Sequence, residues 1–153
     1  MLQRIQSVYL FLSAAALSIA LFTKVWSAAS NESLMIDAFT SNVSVAGVLT
    51  TKNIWYVAMT IVISILLSFY TISQFKNRLL QVKLINFNNL LLCGVVGLYY
   101  FEISQAKKAL TGDFADNWGV AFIVPLIGLV LNILAIRSIK KDEQLVKSVD
   151  RIR

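Results

Sequence analysis

Four asparagines are the residues of this chain best placed to do chemistry in apolar surroundings. Asn86, Asn88 and Asn89 open the stretch LINFNNLL, and Asn132 sits within GLVLNILAI. An amide both donates and accepts hydrogen bonds but carries no charge and moves no proton. Such groups on neighbouring helices either join the helices or line a polar path between them. Counted from the charged flank of each stretch, Asn89 lies ~8 Å deep and Asn132 ~6 Å deep at ~1.5 Å per helical residue. The matching depths predict a polar layer between two helices.

The residue types that would turn such a layer into a catalytic or metal site are missing. The chain has no histidine, which excludes His-ligated haem, most zinc catalysis, Ser-His-Asp triads and imidazole proton relays. Cys93 is the single cysteine, so neither an internal disulfide nor a thiolate cluster can form. No glycine-rich phosphate loop occurs, and no Asp, Glu, Lys or Arg falls inside an apolar run, where transporters and proton relays usually keep one. Glu102, Asp113 and Asp116 fall between runs and read as solvated or capping carboxylates. No cofactor is implied.

The other chemistry-bearing group is charged. FKNRLLQVK carries Lys76, Arg78 and Lys83 without an acid, and the ending RSIKKDEQLVKSVDRIR carries Lys140, Lys141, Asp142, Glu143, Asp150, Arg151 and Arg153. A membrane flank needs only positive charge, whereas this tail mixes signs over an apolar stripe of Leu145, Val149 and Ile152 beside Val146. Together the turn and tail form a candidate interaction face for a protein partner. Basic residues gather at run ends rather than along an aromatic-studded stripe, which argues against nucleic acid.

Positioning these groups requires membrane-spanning helices. Of the 153 residues 58% are hydrophobic and 14% charged, with a mean hydropathy of +0.72, against ~45–50% and ~25% for soluble domains. The runs Asn53 to Phe75 and Leu84 to Phe101 are free of charge and long enough for a hydrocarbon core ~30 Å thick. The reading is an all-α, four-helix antiparallel membrane bundle in one domain over 1–153, with helices near 7–26, 53–75, 84–110 and 117–150 and a helical tail at 137–153. The first run exceeds a signal-peptide core and has Lys24 and Trp26 before the small residues 27–29, so it reads as a retained helix. Asp116 is the expected N-cap of the fourth helix, Gly112 the expected stop of the third, and Pro125 an expected kink. Ala16 with Ala20, and Gly94 with Gly97, allow close helix packing. Residues 27–52 contain two alternating runs, LMIDAFT and VSVAGVL, compatible with a small hairpin over one bundle end. The two glycosylation-type triplets there, at Asn31 and Asn42, matter only in a eukaryotic secretory cell.

Charge and aromatics orient the bundle. Ten of the 14 Lys and Arg fall on segments assigned to the cytoplasm and four (Lys24, Lys52, Lys107, Lys108) on the other side. Trp26, Trp55, Tyr56, Tyr99, Tyr100 and Trp118 all gather at the opposite, outer ends. Both termini are therefore expected in the cytoplasm.

The opening MLQRIQSVYL, the turn FKNRLLQVKL and the ending LAIRSIKKDEQLVKSVDRIR resemble the bacterial domain-of-unknown-function family 4293, small integral membrane proteins with four predicted helices. The resemblance implies a bacterial inner-membrane protein whose first helix is kept, and brings no activity, ligand or catalytic residue. The expected function is that of a non-catalytic scaffold or accessory subunit acting through its cytoplasmic face. The alternative is a small transporter or channel with the Asn layer lining its path; an enzyme fits least.

Overall fold

The computed structural model describes residues 3–28, 31–45, 48–75, 77–109 and 116–150, with side chains described for 5–28, 35–43, 50–75, 77–108 and 116–145. The chain order is α1 (Gln3–Ala20), β1 (Trp26–Ala28), β2 (Asn31–Ile36), β3 (Thr40–Val45), β4 (Val48–Asn53), α2 (Trp55–Ser73), α3 (Arg78–Ala109), β5 (Asp116–Trp118) and α4 (Val120–Asp150). The expectation of an all-α chain is corrected: four helices carry a five-stranded antiparallel sheet, order β4-β3-β2-β1-β5, at one end.

The helices form where apolar residues run on, and α2 and α3 begin where an asparagine side chain meets the backbone. The Asn53 carboxamide oxygen accepts from the Trp55 N–H at 3.2 Å, at the start of α2. Asn77 does the same for Leu80 at 3.2 Å, which makes it the N-cap of α3. That cap starts α3 six residues earlier than the charge-free run suggests, so Arg78 and Lys83 belong to the helix rather than to a turn. Within the apolar helices, the hydroxyls of Ser18, Thr60, Ser68, Thr71 and Ser73 each donate to the carbonyl four residues back, the usual way for such groups to be satisfied without water. Helix α4 continues through Pro125 to Asp150, while Gly112 lies outside the described residues.

Three helices, Trp55–Ser73, Arg78–Lys108 and Val120–Leu145, are long and apolar enough to cross a membrane; the apolar stretch of α1, Ile5–Ala20, is shorter. Only 28–33% of each long stretch is buried inside the protein, so most of the apolar surface points outward. Phe11, Leu66, Phe69, Phe87, Leu90 and Val130 are among the exposed large side chains. An apolar exterior of this extent has no stable place in water.

The four helices close a ring. Helix α1 lies against α2 and, most broadly, α4, and α3 lies against the same two. Their shared interior is layered. A large apolar core at the sheet end includes Leu17, Trp26, Ile36, Ile61, Leu92, Val95 and Val124. A smaller one at the far end comprises Leu10, Ile85, Ala135 and Ile139.

Residues 27–52, expected as a possible hairpin, supply parts of four strands. Residues 43–45 and 48–49 of VSVAGVL lie in the antiparallel pair β3–β4, with Val45 opposite Val48 and Thr40 opposite Asn53. LMIDAFT supplies β2 and the turn into β3, where Asp37 N–H donates to the Thr40 carbonyl at 2.9 Å. The fifth strand arrives from 90 residues away: Trp26 pairs with Trp118 and Ser27 with Asn117. Asp116 therefore sits in β5 and does not cap α4. The first turn of α4 is instead hooked onto the α1–β1 connection, with Gly119 N–H donating to Val25 O at 2.9 Å and Ala121 N–H to Lys24 O at 3.2 Å. A Cβ on residue 119 would stand 1.9 Å from the Lys24 carbonyl oxygen. Gly119→Ala is expected to force this crossing apart at a cost of about 3 kcal/mol, read as a lowered melting temperature in detergent micelles; an unchanged midpoint would show the crossing is dispensable.

Candidate functional site

The asparagine layer exists and involves more than two helices. Asn132 Nδ2 donates to Asn89 Oδ1 at 2.9 Å, joining α4 to α3 as the depths predicted. Asn88 is 1% exposed; its carboxamide oxygen accepts from Ser64 Oγ at 2.5 Å and its Nδ2 donates to Ser68 Oγ at 2.9 Å, joining α3 to α2. Helix α1 adds Ser13, fully buried, whose hydroxyl would meet a Cβ on Gly128 of α4 at 3.3 Å. All four helices thus contribute polar groups between the two apolar cores. Asn86 does not join them: it is exposed on the outside of α3. The serines escaped the sequence reading because hydroxyls are common in apolar helices and only a partner across the interface distinguishes these.

The expected interaction face is divided by the structure. Lys83, Lys140 and Lys141 are exposed, and Arg78 and Glu143 half-buried. Asp142 is a correction: it is 6% exposed and turned inward, accepting a hydrogen bond from Gln6 Nε2 of α1 at 2.7 Å. It joins two helices and is not available for docking. Lys76 lies outside the described residues, as do Arg151 and Arg153, and of Asp150 only the helical backbone is described.

The larger departure is at the sheet end. Glu102, expected as a solvated loop carboxylate, is part of α3 and 1% exposed. Lys52 of β4 reaches both its oxygens, at 2.9 and 3.0 Å, and the Tyr56 hydroxyl donates to one of them. A cleft of about 160 Å³ opens over this cluster between the sheet and α3, lined by Ser41, Val43, Thr50, Lys52, Glu102, Gln105 and Ala106. Fifty residues separate Lys52 from Glu102, and no local spacing links them. The one available signal was Glu102 falling among aromatics, four residues below Ala106 on a helix already expected to continue.

Nearby, Asp116 accepts from Trp26 Nε1 at 3.1 Å and pairs with Lys107, whose ammonium lies 5.5 Å from the centre of the Trp118 ring. The hydrogen bond from Lys107, with those of Trp26 and the charge of Lys107 behind it, holds the Asp116 carboxyl below its ordinary range despite slight burial. Asp37 moves the opposite way, raised by burial against the opposing charge of Lys24. Trp26 and Tyr99, expected at the lipid–water boundary, are fully buried beneath the sheet, whereas Trp55, Tyr100 and Trp118 are exposed there.

An apolar helical exterior, interior polar groups matched across helices and a polar cap at one end together point to a helical membrane protein. The chain belongs to the family described as Domain of unknown function (DUF4293), whose family model matches residues 2–152. Comparison with curated proteins finds no match.

Two outcomes follow from the sheet end. Lys52→Met leaves the Glu102 carboxylate buried without its cation and is expected to cost about 2 kcal/mol, the exposure of Lys52 tempering the full penalty. Lys52→Met with Glu102→Leu should recover most of that loss in thermal unfolding, and equal melting of both variants would refute the pairing. For Asp116, the lowered pKa means its contribution is complete above the unfolded value of 3.8 and is lost as pH falls through the folded one. Asp116→Asn should remove that acid-limb loss while leaving the opposite contribution of Asp37, seen by comparing the two melting curves between pH 2 and 5.

Proposed function

We propose that this chain is a non-catalytic, multi-pass protein of the bacterial inner membrane that binds a partner protein through the basic end opposite its sheet. In this reading all four helices cross the bilayer and both termini face the cytoplasm. Helix α1, 18 residues and hence ~27 Å long, is close to the span required, and its Ser13 lies level with the polar groups of the other three. The excess of Lys and Arg at the sheet-free end supports the orientation.

One observation carries the docking reading. Burial of Asp142 against Gln6 takes an acid out of the mixed-charge tail and leaves Lys83, Lys140 and Lys141 exposed at the same end. The outward surface is therefore more basic than the sequence suggests, and it suits an acidic partner. Purified in mild detergent, the full chain is expected to retain such a partner at fixed stoichiometry. Lys83→Glu with Lys140→Glu and Lys141→Glu should release it without lowering the melting temperature, as should high salt. Retention by the triple variant would overturn the assignment.

A second reading, a small transporter or channel, is favoured by one feature: Ser13 Oγ and Asn132 Oδ1 are buried in the polar layer without a hydrogen-bond partner among the described residues. It would instead give a lone protein with substrate-dependent thermal shifts that Asn132→Leu abolishes.

A further inference from the structure

Around the last two turns of α3 the side chains change character with height. Phe101, Ser104 with Gln105, and Lys108 recur at helical spacing on one face and line a cleft of about 390 Å³. From Phe101 to Lys108 the helix rises ~10 Å, passing from an exposed aromatic ring, through a hydroxyl and an amide, to an ammonium. A second cleft, of about 310 Å³, adjoins it and is lined by Tyr100, Ile103, Ser104, Lys107, Lys108 and Trp118. Ser104 and Lys108 belong to both clefts and stand at their junction.

The lysines at this end are not equivalent. Lys52 is committed to Glu102, and Lys107 to Asp116 and the Trp118 ring. Lys108 is exposed and makes no ion pair among the described residues. Its ammonium, the Ser104 hydroxyl and the Gln105 amide are three donors around one space, and the two acids described nearby, Glu102 and Asp116, are already paired with Lys52 and Lys107. Such a set selects a tetrahedral oxyanion, while the exposed rings of Phe101 and Tyr100 below it suit an attached hydrocarbon.

We propose that the outer end of α3 is a binding site for an anionic phospholipid of the adjoining leaflet, with the phosphate held at Ser104, Gln105 and Lys108 and an acyl chain lying along Phe101. The site rests on the membrane reading above and is independent of the partner-binding end.

The test uses the full chain in detergent, titrated with short-chain phosphatidylglycerol, phosphatidylcholine or inorganic phosphate and read by native mass spectrometry and melting temperature. Phosphatidylglycerol should bind saturably and raise the melting temperature more than phosphatidylcholine does. Lys108→Ala should weaken it ~5-fold, one basic contact's worth, and Lys108→Arg should restore it; Lys108 is exposed, so the lipid-free melting temperature should not move. Equal binding by Lys108→Ala, or no preference between the two lipids, overturns the site. An equal shift from inorganic phosphate alone overturns the lipid as its source. If the native chain leaves membranes on carbonate washing, the membrane reading itself has failed, a result separate from a silent Lys108 variant in a membrane-bound protein.

Discussion

The arrangement depends on one close backbone crossing. The Lys24 and Val25 carbonyls accept from Ala121 and Gly119, and the Val25 N–H donates to Ile36 at 2.8 Å. Three segments of distant sequence are thereby fixed to each other: the exit of α1, the entry of α4, and the second strand of the sheet. The contact needs a residue without a side chain at 119, because the nearest carbonyl oxygen occupies the place of its Cβ. It also gives the leading N–H groups of α4 acceptors that a side-chain cap would otherwise supply. With α1 and α4 joined here, and again by Gln6 and Asp142 at the far end, these two helices are registered along their whole shared length.

A second constraint governs the interior. In an apolar setting, a polar side chain without a partner costs more than the bond it makes would gain. The chain meets this by pairing polar groups across helices at defined levels: Ser64 and Ser68 with Asn88, Asn89 with Asn132, and Gln81 with the Thr71 carbonyl at 3.2 Å. Each bond adds modest stability, about 0.6 kcal/mol on average in membrane interiors. Their larger effect is on register, since sliding any helix by one turn would leave several amides unpaired at once. The apolar cores on either side would tolerate such a slide far better.

The two ends differ in how they treat charge. At the sheet end Glu102 is paired with Lys52 and Asp116 with Lys107, Lys24 acts on Asp37 only through its charge, and Lys108 stands beside two clefts without an ion pair among the described residues. At the opposite end the one described acid that is buried, Asp142, accepts a hydrogen bond from the Gln6 amide rather than pairing with a cation, and the lysines stay in the open. A chain with a formal charge of +6 thus presents its excess positive charge at two separate places.

Run length and hydropathy determined by themselves that the chain is built of long apolar helices. Helical rise alone put Asn89 and Asn132 at matching depths, because depth in a straight helix is a simple count of residues. What sequence could not supply was the rotation of each helix about its axis, and that decided which polar residues meet. Asn86 and Asn88 are two positions apart and therefore on different faces, one outside and one in the core; Asp142 and Lys141 divide in the same way. Nor could it supply the sheet, whose pairing of Trp26 with Trp118 arises only once α1 and α4 lie side by side. Tertiary structure made Glu102 a buried ion pair for the same reason: its cation comes from a strand whose place over α3 no local spacing encodes.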